Sequence, residues 1–228
     1  MKKITFFLLL FFLITSLKSQ EINKDSLSEK ITDIEKVIIN DKDYEKVDYT
    51  FALKKEINYR LKSVNPTSAY EMGLRFNNNL NRIGRISAVT LFLHKTDSEE
   101  ELTNLEINFY KIDTISNKPL EKLNKQQIIY SPITKKRGNV KINVENYHIP
   151  FPQEGIVVTV KWLPLKDKWK NVGPAIRLTN YMENLTYTRY NNDDSKWSLG
   201  PNFSKKNGLY TNVMIGLDVY IKRRKNNE

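Results

Sequence analysis

The chain has 228 residues, of which 39% are hydrophobic, and its mean hydropathy is −0.54. Its 37 Lys and Arg residues outnumber 26 Asp and Glu residues, which gives a formal net charge of +11. The lack of cysteine excludes disulfide frameworks, thiol nucleophiles, cysteine-ligated zinc and a lipid-modified N-terminal cysteine. With 12 Tyr and 10 Phe, a chain of this length can bury a substantial core without covalent staples.

Residues 1–20 are predicted to be a secretory signal peptide. Lys2 and Lys3 form a positive start, residues 4–14 are almost wholly apolar, and small residues precede Gln20. The apolar run is too short to span a bilayer comfortably, which favours a cleaved signal over an uncleaved N-terminal anchor. We therefore expect export to the periplasm, the periphery of the outer membrane or the extracellular space.

Removal of the signal leaves a chain that is still basic. The signal contains three of the 37 basic residues and no acid, so the mature chain has eight more basic than acidic residues. Such a charge favours anionic partners. Nucleic acid is not expected as a partner, because the chain is predicted to be exported and carries no recognisable nucleic-acid-binding motif.

The basic residues form local clusters at 135–137, 205–206 and 222–225. The last cluster follows an apolar run near the end of the sequence and consists of Lys222, Arg223, Arg224 and Lys225. It predicts peripheral contact with lipid head groups or acidic glycans, and a solvated tail is the alternative.

Residues 21–69 are predicted to be an N-terminal extension or linker. Ser26 and Glu29 fit a helix capping box, yet residues 36–40 fit a short strand equally well. The Asp-, Lys- and Tyr-rich stretch that follows is typical of a linker, and residues 50–62 fit either a helix or a strand.

From residue 70 to residue 228 the sequence predicts an all-β domain. Runs rich in Val, Ile, Thr, Tyr and Phe are separated by turn-forming clusters, with no long helix between them. About nine such strands in succession predict antiparallel pairing in two packed sheets, a β-sandwich of jelly-roll-like topology. The runs cover residues 72–76, 86–93 (a long apolar run, as in a central strand), 105–110, 127–130, 140–144, 156–162, 175–178, 185–190 and 213–221.

Several of these runs and turns carry a family resemblance. The matching residues are 71–73, 86–93, 107–110 followed by Lys118 and Pro119, 140–144, 155–162 and 195–197. Over about two thirds of its length the chain resembles the C-terminal β-sandwich of uncharacterised exported proteins of Gram-negative bacteria that carry a carboxypeptidase-regulatory-like domain. Residues 21–70 leave no room for a complete regulatory-like domain, so we expect that domain to be absent. The resemblance implies a sandwich fold and an exported protein, and it carries no catalytic signature.

No catalytic residues are predicted. The two histidines, His94 and His148, lie at ordinary strand-end and turn positions, and no GxSxG elbow presents a serine nucleophile. No cofactor or metal site is predicted, although residues 191–194 (Asn-Asn-Asp-Asp) have oxygen ligands suited to calcium. A carbohydrate-active hydrolase with two carboxylates on distant strands remains the enzymatic alternative, because such pairs leave no local spacing.

Four aromatic residues are the candidate ligand contacts: Trp169, Tyr187, Tyr190 and Trp197. Exposed aromatic rings stack on sugar faces and also serve protein interfaces. The competing interpretation is that Trp162 belongs to the core and that Trp197 covers the sandwich edge. The sequence thus predicts an exported, non-enzymatic β-sandwich of the cell envelope that binds or scaffolds a glycan or another envelope protein.

Overall fold

The structure is a computed structural model that describes residues 43–49, 63–166, 170–190, 196–200 and 209–224. In this part of the chain it contains two antiparallel sheets, one small parallel pair of strands and no α-helix. The predicted signal peptide and the ambiguous segments 21–42 and 50–62 lie outside the described residues. The strands belong to the compact unit Asn40–Glu228.

The strands follow one another without crossover helices, as the sequence predicts. A 3₁₀ helix, Glu145–Tyr147, lies between β9 and β10. In chain order the strands are β1 (Tyr44–Asp48), β2 (Ser63–Val64), β3 (Tyr70–Phe76), β4 (Gly84–Leu93), β5 (Glu101–Leu102), β6 (Leu105–Ile112), β7 (Pro119–Lys122), β8 (Ile129–Tyr130), β9 (Gly138–Asn143), β10 (Pro150–Phe151), β11 (Ile156–Trp162), β12 (Val172–Gly173), β13 (Ile176–Tyr181), β14 (Thr186–Tyr190), β15 (Ser198–Leu199), β16 (Tyr210–Val213) and β17 (Ile215–Lys222).

The first sheet has eight strands in the order β1-β17-β4-β13-β16, with β9 and β10 also paired to β4 and β2 paired to β13. β4 lies at its centre, as the long apolar run of that segment predicts. β17 runs antiparallel to β4, from Ile215 opposite Leu91 to Ile221 opposite Gly84. The C-terminal end of β17 therefore lies beside the start of β4.

The second sheet has seven strands in the order β15-β14-β3-β11-β6-β7, and β8 pairs with β6. β3 and β11 are paired from Phe76 opposite Ile156 to Glu71 opposite Lys161. The short strands β5 and β12 form a separate parallel pair.

The core lies between the inner faces of the two sheets, where alternate residues of each strand meet. Successive side chains of a strand point to opposite faces, so a period of two selects which residues are buried. Trp162 belongs to this core, as one interpretation of the sequence predicts, and its indole nitrogen donates to the Pro174 carbonyl at 3.0 Å. The inward-facing residues include Met72, Leu74 and Phe76 of β3, Ile107 and Phe109 of β6, Val158 and Val160 of β11, and Leu217, Val219 and Ile221 of β17.

The predicted all-β antiparallel sandwich is confirmed, and each predicted run overlaps a strand. The described residues nevertheless contain more strands than the nine or so expected. The additional ones include five segments of two residues: β2, β5, β10, β12 and β15. A two-residue strand is too short to show alternation, so it is defined by its pairing partner rather than by its own pattern.

The segment after residue 40, for which the sequence predicts a linker, contains the edge strand β1. It pairs with β17 from Tyr44 opposite Lys222 to Asp48 opposite Asp218. The amide of Tyr49 then donates to the Leu217 carbonyl at 2.8 Å. Three of the five residues of β1 are charged, so the segment lacks the alternation of apolar residues that would predict a strand. Such charges are typical of edge strands.

Candidate functional site

The outer face of the seven-stranded sheet carries a row of alternating charges across four strands. Arg189 of β14 lies opposite Glu71 of β3, and Glu71 lies opposite Lys161 of β11. Lys161 in turn lies opposite Glu106 of β6. Directly opposed residues of antiparallel strands are close enough to interact, so this row favours the observed register over a one-residue slip.

Glu71 is the centre of a buried polar network on this face. Its side chain is nearly inaccessible to solvent. One carboxylate oxygen accepts hydrogen bonds from Asn108 Nδ2 at 3.2 Å and from the Tyr110 hydroxyl at 3.1 Å, and the Thr159 hydroxyl also donates to it. The other oxygen lies 2.7 Å from Nε and from Nη2 of Arg189. A buried charge is tolerated because it is paired and hydrogen-bonded.

Arg189 lies between this carboxylate and two aromatic rings. Its guanidinium carbon is 4.3 Å from the centroid of the Trp197 ring and 5.3 Å from that of Tyr110. The two rings meet edge to face at 5.3 Å. Trp197 and Tyr110 belong to a small second hydrophobic cluster on the outer face, together with Ile112, Val157 and Tyr187.

Two of the predicted ligand contacts, Tyr187 and Trp197, are therefore buried side chains of this outer cluster. Tyr187 is 2% exposed and Trp197 is 9% exposed. The Tyr187 hydroxyl donates to the Asn117 carbonyl at 2.5 Å, and burial raises the pKa of this phenol above its ordinary value. Both rings are engaged within the protein, and their role in ligand binding stays a prediction.

The other two candidates are placed differently. Tyr190 is 56% exposed at the end of β14, and its ring packs against that of Tyr70 with centroids 4.7 Å apart. Trp169 lies outside the described residues. It stands two positions before Asn171 in the sequence. Of the predicted contacts that the structure describes, Tyr190 alone presents a largely exposed ring.

The buried carboxylates of the outer face are each paired with a cation. Glu106 lies 2.8 Å from Lys122 Nζ, and Glu71 pairs with Arg189 as described. Because each carboxylate is held by a neighbouring cation, these contacts favour a structural role over acid–base catalysis.

A wide cleft opens beyond the end of β4, at the loop that begins with His94. Its walls are residues 94–99, which follow β4, and residues 135–137, and its volume is about 1060 Å³. Four basic side chains line it, from Lys95, Lys135, Lys136 and Arg137, against the two carboxylates of Asp97 and Glu99. We call this the basic cleft.

The walls of the basic cleft are joined by hydrogen bonds. The Thr96 amide donates to the Lys135 carbonyl at 2.9 Å, and Lys135 Nζ donates to the Ser98 carbonyl at 2.7 Å. Behind them, the Ala175 amide donates to the Thr96 hydroxyl at 3.0 Å. The cleft is therefore a preformed feature in which two loops about 40 residues apart in sequence lie side by side.

A smaller pocket adjoins the basic cleft, with which it shares His94, Lys95 and Asp97. Its volume is about 390 Å³, and its remaining lining consists of Ser63, Asn65, Glu100 and Asn171. We call this the polar pocket. The side chain of Asn65 donates to Glu100, which links the chain before β3 to the loop after β4.

The C-terminal basic cluster lies at the opposite end of the eight-stranded sheet. Because Ile221 is opposite Gly84, the exposed Lys222, Arg223 and Arg224 lie beside the start of β4, whereas His94 follows its end. Ten residues of strand separate the two ends, about 30 Å. Lys225 lies outside the described residues, and the predicted contact of this cluster with lipid head groups or acidic glycans stays a prediction.

The sequence indicates the basic run at 135–137 but not what it faces. The 94–99 loop contains acidic and basic residues in a pattern typical of solvated loops, and His94 is predicted to be an ordinary strand-end residue. The cleft exists because the β4–β9 pairing, which ends at Leu93 opposite Gly138, brings the two loops together. No local signal in either loop shows this.

No group of three or more histidine and carboxylate side chains arranged to hold a metal is found within the described ranges, and residues 191–194 lie outside them. Nor does any helix in those ranges have the length and apolarity needed to cross a bilayer. No protein-family model, curated protein or solved structure significantly matches the chain.

Proposed function

We propose that this chain is an exported, non-enzymatic protein of the cell envelope whose β-sandwich binds an acidic glycan in the basic cleft. The observation that carries the proposal is the concentration of Lys95, Lys135, Lys136 and Arg137 around one open concavity. Four cations facing two carboxylates leave an excess of positive charge where a ligand can enter.

The chemistry of the cleft suits carboxylate or sulfate groups on a flexible polymer. Arg137 can bind such a group with two parallel hydrogen bonds, whereas the lysines contribute point charges that adapt to different positions. Because the walls are already joined through Thr96 and Ser98, little ordering cost accompanies binding. A weak, multi-point interaction with a repeating polymer is the expected mode.

The predicted signal peptide and the resemblance to exported β-sandwich proteins support the envelope location. The pairing of Glu71 with Arg189 and of Glu106 with Lys122 favours a binding protein over the hydrolase alternative. The buried positions of Tyr187 and Trp197 move the proposed contact from an aromatic platform to the basic cleft.

The test compares two variants that remove equal charge from opposite ends of the sheet. The first is Lys135→Gln, Lys136→Gln and Arg137→Gln in the basic cleft. The second, a matched control, is Lys222→Gln, Arg223→Gln and Arg224→Gln at the end of β17. Binding of each purified protein to polygalacturonate and hyaluronan is measured at low and high salt.

The proposal expects the cleft variant to bind about tenfold more weakly and the control variant to change by less than about threefold. An equal loss of affinity in both variants, with all binding abolished at high salt, would show that net charge alone causes the binding and would overturn the proposal. If the unmodified protein binds neither polygalacturonate nor hyaluronan, the proposal is overturned in favour of a protein partner, which co-purification from the envelope would identify.

A further inference from the structure

We infer that the ligand is a glycan in which an acidic sugar adjoins a neutral one, with the acidic unit over the basic cleft and the neutral unit in the polar pocket. This inference rests on the proposed function and adds the composition of the ligand. It follows from the contrast between two concavities that share one wall.

The two concavities adjoin along a shared wall. His94, Lys95 and Asp97 line both, so a ligand that extends over these three residues would contact both concavities. A volume of about 390 Å³ places the polar pocket within the range of small-molecule sites. A chain of linked sugars, unlike a single ion, would occupy both.

The two concavities differ in charge. The basic cleft has four cations and two carboxylates, whereas the polar pocket has one cation, Lys95, and two carboxylates, Asp97 and Glu100. An acidic group in the polar pocket would therefore be repelled. A uniformly acidic polymer is therefore attracted to the basic cleft and repelled by the polar pocket.

The polar pocket also carries the groups that recognise hydroxyls. Asn171 offers two donors and an acceptor, and Ser63 offers a hydroxyl. Asn65 keeps an acceptor and one donor besides the one that it gives to Glu100, whose carboxylate can accept further hydrogen bonds. Sugar hydroxyls are both donors and acceptors, so this set can pair with vicinal hydroxyls of a neutral ring. A neutral sugar fits both the hydrogen-bonding groups and the charge.

The walls of the polar pocket are held by contacts between distant segments. Asn171 forms an isolated bridge with Thr67, and the Val172 amide donates to the Pro66 carbonyl at 3.0 Å. Together with the Asn65–Glu100 hydrogen bond, these contacts fix the pocket relative to the loop that it shares with the basic cleft. The relative placement of the two subsites is therefore set by the fold.

The experiment uses two probes of equal length: a hyaluronan oligosaccharide, in which acidic and neutral sugars alternate, and a polygalacturonate oligosaccharide, in which every sugar is acidic. Dissociation constants are measured for the unmodified protein, for Asn65→Ala with Asn171→Ala, for Glu100→Gln, and for the Lys135, Lys136 and Arg137 triple variant. Glu121→Gln, at an exposed position of β7, is the control for loss of one negative charge.

We expect the unmodified protein to bind the alternating probe about tenfold more tightly than the uniform one. The asparagine double variant should lose this preference while binding the uniform probe as before. Glu100→Gln should strengthen binding of the uniform probe by about threefold, and Glu121→Gln should not. The cleft triple variant should lose affinity for both probes.

Equal affinity for both probes, combined with loss in the cleft triple variant, would overturn the inference and leave the proposed function standing. The same holds if the asparagine variant, shown to be folded by its thermal transition, weakens both probes alike. Failure of both probes to bind, or unchanged binding by the cleft triple variant, would overturn the proposed function and the inference with it.

Discussion

The guanidinium carbon of Arg189 lies 4.3 Å from the centroid of the Trp197 ring, so the aromatic surface of this tryptophan is occupied by a side chain of the protein itself. The same guanidinium pairs with the buried carboxylate of Glu71. A cation–π contact in a desolvated site contributes about 2 kcal/mol. Trp197 therefore stabilises the outer face of the seven-stranded sheet.

Replacement of Trp197 by alanine should lower the free energy of unfolding by about 3 kcal/mol, because it removes a buried ring and uncovers the Arg189–Glu71 pair. The exposed Tyr190 provides the comparison, and Tyr190→Ala should cost less than about 1 kcal/mol, since the ring loses only its contact with Tyr70. Urea denaturation of both variants measures the difference. Similar costs would contradict the buried position of Trp197.

A second prediction concerns the stability of variants of the Glu71–Arg189 pair. Arg189→Met should lower the free energy of unfolding by about 3–5 kcal/mol, because the carboxylate of Glu71 is left buried without its cation. The double variant Glu71→Gln with Arg189→Met should be more stable than the single variant, since a neutral amide oxygen still accepts from Tyr110 and Thr159. Equilibrium denaturation of both variants checks the order, and a less stable double variant would contradict it.

Gly73 is required by the close approach of β3 and β11. A Cβ atom at this position would lie 2.4 Å from Thr159 Cγ2 and 2.6 Å from the Val158 carbonyl oxygen. Gly73→Ala should therefore lower the free energy of unfolding by about 2 kcal/mol, since backbone cannot give way as a flexible side chain can.

Gly138 in β9 is the matched control for Gly73. A Cβ atom there meets nothing within 4 Å, so Gly138→Ala should change the free energy of unfolding by less than about 0.5 kcal/mol. Thermal or chemical denaturation of the two variants side by side is the measurement. Equal stability of the two variants would contradict the close approach of β3 and β11 at Gly73.

Asp218, on the outer face of the eight-stranded sheet, should make stability depend on pH in the acid range. Burial favours a higher pKa for this carboxyl, but hydrogen bonds from Lys141 and Lys46 outweigh it and hold the pKa below its ordinary value. The hydrogen bond to Asp218 in turn raises the pKa of Lys46. Lys46 Nζ lies 3.1 Å from the carboxylate.

A carboxyl whose pKa is lower in the folded state stabilises the protein above its unfolded pKa, and the contribution is lost as the pH falls through the folded pKa. Asp218→Asn should therefore cost about 1 kcal/mol at pH 7 and progressively less below about pH 4. Denaturation curves across this range test it. Glu121→Gln, in an exposed pair with Lys111, is the control, and its cost should stay near zero throughout.

The strands could be predicted from the sequence because their signal is local. Alternation in β3 and β6 and the continuous apolar run of β4 show within a few residues which side chains face the core. β1 could not be predicted in this way, because its five residues carry three charges and become a strand by pairing with β17. The row Arg189, Glu71, Lys161 and Glu106 joins four strands, and no window of sequence contains it.

The sequence alone determined the class of fold, since burial in a strand repeats every second residue and that pattern is written into each strand separately. The sequence also identifies the aromatic residues and the basic runs, but it does not show how exposed they are or which residues they contact. Tertiary structure decided that Trp197 is covered by Arg189 and that Lys135 faces the loop after His94. The reason is physical: exposure and charge complementarity depend on contacts between segments far apart in the chain, which pairing of the strands creates.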